Sequence, residues 1–351
     1  MMSSTQPIAP WRATCIQMPS QLAARADSPT AARSIIDANV QRAVKLVTEA
    51  CESQHPPRLV VLPEFAFQGP PHRATVQEWI EKACDSIPGR ATAPLQRLAE
   101  RYRIYIAGNL FERDVRWPGR FFNSCFLIDP RGEVILRYRR INTALWPSPH
   151  DFMDDYFAEY GVEGTFPVVD TELGRLAVIA CGEIAVPEVS RAFMLRGAEV
   201  LLHPTNDEMS AGQEAAKTAR AAENMMYVIS ANVAGPIGFS WDGKVPGGRS
   251  RIVDFRGETV AYRQDADETF TVSSLIDVEA QRRARNDLGL GNALLRARWE
   301  MYRPLLRDVT CYPPNAFAAQ PMTNSAQTQE TSAAALQTLL TTGVVRRPAT
   351  P

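Results

Sequence analysis

Five consecutive apolar residues, Leu176-Ala177-Val178-Ile179-Ala180, end directly on Cys181. A strand of that composition is covered on both faces, so the chain must fold in layers with this strand inside them. The segment after it, Gly182-Glu183-Ile184-Ala185-Val186-Pro187-Glu188, holds a glycine that permits a sharp backbone turn and a proline suited to the first position of a helix. Cys181 is thus predicted at a strand-to-helix junction. Its thiolate can be stabilised there by N–H groups and a neighbouring base or cation, which makes it a nucleophile candidate. The plain alternative is a small, inert core residue.

The rest of the chain supports a layered enzyme. It is 45% hydrophobic and 22% charged over 351 residues, enough apolar material for a large core. Lys and Arg (38) nearly balance Asp and Glu (39), and a net charge of -1 gives no general attraction for nucleic acid or an anionic membrane, so small molecules are the expected partners. The six cysteines show neither metal-ligand nor disulfide spacing, which fits a reducing cytoplasm and no metal or other cofactor. Residues 1–10 lack the basic and apolar regions of a signal peptide and read as a disordered leader; no apolar run is long enough for a membrane span.

In chain order, Arg12 to Met18 reads as a buried strand, and Ala31 to Cys51 as an amphipathic helix in which Ile35, Ile36, Val40, Ala43, Val44 and Val47 recur at helical spacing. Leu59-Val60-Val61-Leu62-Pro63-Glu64 is a second apolar strand with a carboxylate at its tip. A glutamate flanked by Leu62, Phe65 and Phe67 has its charged form disfavoured, the condition for a general base near neutrality; the ordinary reading is a solvated strand-end charge. Helices are expected at 75–84 and 93–103, then strands at 104–110, 121–128 and 133–140. The stretch 141–165, rich in Pro and aromatic residues, reads as a long loop forming a pocket wall. A hairpin at 166–180 delivers Cys181; helix 187–196, strand 199–204, helix 213–226, strand 227–232 and three further strands from Ser250 to Ile276 follow. Beyond Leu306 the chain turns to Ala, Gln, Ser and Thr and reads as a tail, 307–351, with a short helix at 334–340. This alternation fits a doubly wound sheet or a sandwich equally well.

Four stretches together resemble the nitrilase superfamily of carbon–nitrogen hydrolases. Leu59 to Glu64 is similar to its glutamate motif, Tyr138-Arg139-Arg140-Ile141-Asn142 stands at its Tyr-Arg-Lys motif, and Leu176 to Glu188 is similar to its cysteine motif. Arg220 to Asn224 with Val228 to Asn232 resembles its late helix and strand. They occur in the family's order within 11–306, read as one hydrolase domain.

The resemblance implies an α/β fold, a four-layer α-β-β-α sandwich. It also implies a thioester mechanism, with Glu64 as base, Cys181 as nucleophile, and Arg140 with the Gly182 N–H stabilising the oxyanion. The family has lysine where this chain has Arg140, and a guanidinium supplies charge and forked hydrogen bonds without passing a proton on. Arg139, on an alternating strand, points to the opposite face. A second family glutamate is matched to Glu159, with Asp155 and Glu163 as rivals. Trp146, Thr205 and Asn206 are expected near substrate, whereas His203 reads as a satisfied histidine at a strand end. Cys181-Gly182-Glu183 lacks the tryptophan of true nitrilases but keeps the acid. The resulting expectation is an amidase, with a nitrilase and an N-carbamoyl amide hydrolase as alternatives, and a catalytically silent binding protein as the alternative of another class. The resemblance further implies a homo-oligomer with a C-terminal segment that crosses subunits.

Overall fold

The structure, a computed structural model, describes residues 7–143, 145–207, 210–235, 247–307 and 309–348. The chain lays down β1 (Trp11–Gln17), β2 (Leu59–Val61), β3 (Tyr105–Glu112), β4 (Phe122–Ile128) and β5 (Val134–Arg139). Then come β6 (Val169–Thr171), β7 (Gly174–Val178), β8 (Val200–Thr205), β9 (Tyr227–Asn232), β10 (Arg251–Val253), β11 (Thr259–Tyr262) and β12 (Thr269–Ile276). They form two six-stranded sheets, in the orders β12-β1-β2-β3-β4-β5 and β11-β10-β9-β8-β7-β6. Each sheet has a parallel trio at its centre, β1-β2-β3 in one and β7-β8-β9 in the other, with antiparallel strands on both flanks.

The layering follows from side-chain alternation along the strands. Ala13, Cys15, Leu59, Val61, Tyr105 and Ala107 point toward the second sheet and join its Leu176, Val178 and Leu201 in one core. Ile16, Val60 and Ile106 point the other way, onto Ile36, Val40 and Val47 of α1 (Pro29–Cys51) and Trp79 of α2 (Val76–Lys82), with Leu95 and Leu98 of α3 (Ala93–Tyr102). The second sheet is covered by Val189 and Phe193 of α5 (Pro187–Leu195) and Ala216 and Ala221 of α6 (Ala211–Asn224), after α4 (Met153–Thr165) on the chain. The result is the α-β-β-α sandwich, helices outside and two sheets face to face.

Three expectations are corrected. Residues 141–165 are not an open loop: a single 3-10 turn, Pro149–Phe152, capped by Ser148 and Asp151, leads into α4. Pro147, Pro149 and Gly161 masked this helix, and Gly161 does interrupt it at φ 61°. Its aromatic residues do not wall a pocket. Phe152 and Tyr156 close a third apolar cluster with Phe122, against which Trp117 and Tyr160 pack.

The tail folds further than expected. After α7 (Val278–Asn286) and α8 (Trp299–Arg307), α9 spans Ala326–Thr341, and the segment before it docks on its own chain: Met322 is buried, Thr323 O accepts from Val76 N at 2.8 Å, and Arg120 Nη2 donates to Phe317 O and Ala318 O at 2.9 and 3.1 Å. Residues 1–6 of the expected leader lie outside the described residues, while Ile8 packs on the inter-sheet core and donates its N–H to Glu279 Oε1 at 3.2 Å. Among the described residues no helix is long and apolar enough to cross a membrane. No group of three or more His, Cys, Asp or Glu stands ready to hold a metal ion among them, and all six cysteines are free.

Candidate active site

Parallel strands bring their C-terminal ends to one edge, and the polar residues just beyond those ends converge there. Glu64 follows β2 by three residues, Cys181 follows β7 by three, Asn206 comes immediately after β8, and Arg140 immediately after β5. Two of these turns use left-handed backbone at residues that are not glycine: Phe65 at φ 60° and Cys181 at φ 43°. Such conformations cost about 1–3 kcal/mol each and persist where packing over-determines them. The sharp turn expected at Gly182 is therefore made by the cysteine itself, and Gly182 lies outside the left-handed region.

Glu64 is fully buried. Its Oε1 accepts from Asn123 Nδ2 at 2.8 Å and from Arg140 Nη1 at 3.2 Å, Oε2 has no hydrogen-bond partner, and the Cys181 thiol is near enough for each group to shift the other's pKa. Burial raises its pKa above the ordinary value, against the opposing pull of Arg140, Asn123 and the thiol. Cys181 Sγ donates to the backbone oxygen of Asn206 at 3.6 Å, beside the Thr205 hydroxyl. Burial, and then the Glu64 charge, push the thiol up to about 12, with Arg140 opposing. Burial thus outweighs the stabilisation expected of the thiolate, and the thiol lies beside the Glu64 carboxylate.

Arg140 is 13% exposed at its side chain and anchored twice, Nε to Asn142 O at 2.8 Å and Nη1 to Glu64. Arg139 points the other way, as alternation requires, and is bound by Glu112 at 2.8 Å and Asp114 at 2.5 Å. The turn after Arg140 is held by Glu183, whose Oε1 accepts from Tyr138 Oη (2.9 Å), Ile141 N (3.0 Å), Asn142 N (3.0 Å) and Asn142 Nδ2 (3.3 Å). A carboxylate accepting this many donors is a rigid anchor.

His203 is a satisfied strand-end histidine, as expected, and its partners fix its tautomer. The carbonyl of Cys181 can only accept, so Nε2 donates to it at 2.8 Å, and Nδ1 accepts from Ser230 Oγ at 2.8 Å. Burial, with the Lys217 charge next, lowers its pKa to about 3, so the ring is neutral and braces the nucleophile turn.

The structure brings together Glu64, Arg140, Cys181, Gly182, Thr205 and Asn206. Thr205 is fully buried against the nucleophile, and the Asn206 carboxamide is 3% exposed with neither Nδ2 nor Oδ1 partnered. Glu159 is not among them. It is exposed on α4 and paired with Arg116 at 3.0 Å; Glu163 is exposed and paired with Arg196, and Asp155 is exposed. The second buried carboxylate of the site is Glu183. Trp146 stands edge-on to Phe65 and Phe111, with centroids 5.6 and 5.4 Å away, so its ring braces the residue after Glu64 as part of the core. Asn123 and Glu183 were missed as site residues. Asn123 had a signal, a polar residue inside the apolar strand Phe122–Ile128, and Glu183 had its place two residues after the cysteine.

Comparison with known proteins gives the family and the fold. The family model described as carbon-nitrogen hydrolase matches residues 12–286. The chain is 30% identical over 245 residues to the omega-amidase NIT2 of Xenopus tropicalis, covering 69% of this chain and 83% of that protein. It is 30% identical over 269 residues to a nitrilase of Pyrococcus abyssi, covering 76% of this chain and 93% of that one. Among solved structures it is similar in fold, with a TM-score of 0.60 at 18% identity, to a mutant amidase from Nesterenkonia sp. AN1 showing covalent addition of the acetamide moiety of fluoroacetamide at its active-site cysteine; 87% of this chain and 99% of that one are covered.

Proposed function

The chain belongs to the carbon–nitrogen hydrolase family, and from that premise we propose that it hydrolyses a small amide through a thioester on Cys181. The observation that carries this reading is the convergence of three groups: the buried Glu64 carboxylate takes a hydrogen bond from Arg140 at 3.2 Å, and both charges act on the Cys181 thiol beside them.

In the first half-reaction Glu64 takes the thiol proton as Sγ attacks the carbonyl carbon. Charge develops on the carbonyl oxygen, which the Gly182 N–H and the open Nη2 of Arg140 stabilise; one such donor is worth roughly 3 kcal/mol. Protonated Glu64 returns its proton to the departing nitrogen, ammonia leaves, and the acyl group stays on sulfur. Water, deprotonated by Glu64, then attacks the thioester, releasing the carboxylic acid and restoring the thiol. Both proton transfers go through Glu64, because a guanidinium keeps its protons.

Asn206 supports an amide over a nitrile. A buried carboxamide with donor and acceptor both open pairs with a primary amide on both atoms, whereas a nitrile nitrogen only accepts and leaves Oδ1 unmet. The test is ammonia release across a panel of amides, nitriles and N-carbamoyl amides. Release from amides alone supports the reading, and release from nitriles alone replaces it. We also propose a cytoplasmic homo-oligomer, which light scattering of the purified chain tests for assembly.

A further inference from the structure

A Cβ on residue 182 would lie 3.1 Å from Nη2 of Arg140 and 3.7 Å from Nε2 of Gln213. The first distance is tighter than nine in ten real Cβ contacts, so the neighbour must give by a few tenths of an ångström. Backbone conformation does not demand glycine here, because φ of Gly182 lies outside the left-handed region. What demands it is space.

Arg140 is poorly able to give that space up. Its Nε is committed to Asn142 O at 2.8 Å and its Nη1 to Glu64 Oε1 at 3.2 Å, and the planar guanidinium fixes Nη2 once those two are set. Asn142 is itself tied through its N–H to Glu183 at 3.0 Å. Moving Nη2 by a few tenths of an ångström therefore strains the bond to the general base or the bond to the anchored turn. The next neighbour of that Cβ position is Gln213, near the start of α6.

We propose that Gly182 is a positioning residue for Arg140: its missing side chain is the space that admits the second arm of the guanidinium beside the nucleophile, so residues 140 and 182 form one unit. The proposal rests on the oxyanion role of Arg140 given above. A lysine carries one slim nitrogen and no second arm, so a chain with lysine at 140 tolerates a side chain at 182. Gln213 Nε2, 3.7 Å from the same Cβ position, is the second neighbour of that space.

The test is a double-mutant cycle of Gly182→Ala and Arg140→Lys, read on the amide that the wild type hydrolyses fastest. With Arg140 present, Gly182→Ala is expected to lower kcat by about tenfold or more with KM changed less than about threefold, since it displaces a donor used in the transition state. In the Arg140→Lys background the same substitution is expected to cost less than about threefold. Equal losses in both backgrounds, or no loss with Arg140 present, overturn the proposal. Alkylation of Cys181 by iodoacetamide, followed by intact mass, gives a readout free of turnover: Gly182→Ala is expected to change its rate with Arg140 present and leave it unchanged with Arg140→Lys. Should the wild type release no ammonia from any amide, the amidase reading fails while the alkylation cycle still decides the coupling. If Gly182→Ala prevents folding only with Arg140 present, as judged by circular dichroism, the coupling is supported; failure in both backgrounds overturns it.

Discussion

Nη1 of Arg140 donates to Oε1 of Glu64 at 3.2 Å, so the guanidinium is bound to the carboxylate proposed as base while its Nη2 is left open. The role this assigns is charge beside the developing oxyanion, which an ammonium also supplies. Arg140→Lys is expected to retain hydrolysis, with kcat within about tenfold of the wild type, whereas Arg140→Met is expected to lose about 10²–10³-fold, the usual cost of an oxyanion donor. Steady-state kinetics on one amide decides it. Collapse of both variants alike would mean that the guanidinium fork grips the substrate instead.

Glu183 holds the Arg140 turn from the cysteine side through four donors on one oxygen. Glu183→Ala leaves the buried Tyr138 hydroxyl without an acceptor, at about 1–3 kcal/mol before relaxation, and frees the part-buried N–H groups of Ile141 and Asn142. A fall in Tm and a loss of kcat are expected together. Tyr138→Phe removes one donor and keeps the anchor, so its effect is expected to be only about 1 kcal/mol on chemical denaturation.

The thiol is pushed up to about 12 and the base above its ordinary 4.5. Glu64 must be ionised to act, so kcat/KM is expected to fall on acidification through a limb above pH 4.5 and to show no thiol limb between pH 7 and 10. The limb belongs to the coupled pair rather than to either group alone. Iodoacetamide labelling of Cys181 is correspondingly expected to stay flat across pH 7 to 9. A labelling rate that climbs tenfold per pH unit there would mean that the thiol reacts only after losing its proton to solvent, without help from Glu64.

His203 is neutral down to about pH 3 in the folded chain but has an ordinary value of 6.5 when unfolded. Below 6.5 the unfolded chain binds a proton that the folded chain does not, so stability falls as pH drops from 6.5 toward 3. His203→Gln is expected to flatten the dependence of Tm on pH in that window and to lower kcat by loosening the Cys181 carbonyl, leaving the Glu64 limb in place. Parallel Tm slopes in wild type and variant would contradict the assignment.

Much of this was legible in the chain, and the reasons are physical. Strands such as Leu59–Val61 and Leu176–Val178 are read easily because burial on both faces makes them uniformly apolar. Glu64 and Cys181 stood out because each is a reactive group placed where such a strand stops. Arg140 emerged only through the family resemblance. The second carboxylate was sought among Asp155, Glu159 and Glu163 because those acids cluster before the cysteine strand; Glu183 does its work by meeting Asn142, a contact between two distant loops that no local pattern encodes. Helix α4 was hidden by the prolines before it and the glycines within it, and the aromatic residues around it pack on Phe122, which lies on a strand some thirty residues earlier in the chain.

The most direct test of Cys181 as nucleophile and Glu64 as its base is intact-mass spectrometry on enzyme quenched during turnover of a primary amide, beside Cys181→Ala and Glu64→Gln. The expected result is an acyl adduct on the wild type that maps to Cys181, with ammonia released, no adduct on Cys181→Ala, and no turnover by either variant. Ammonia release undiminished in either variant, or an adduct that maps to another residue, would contradict it.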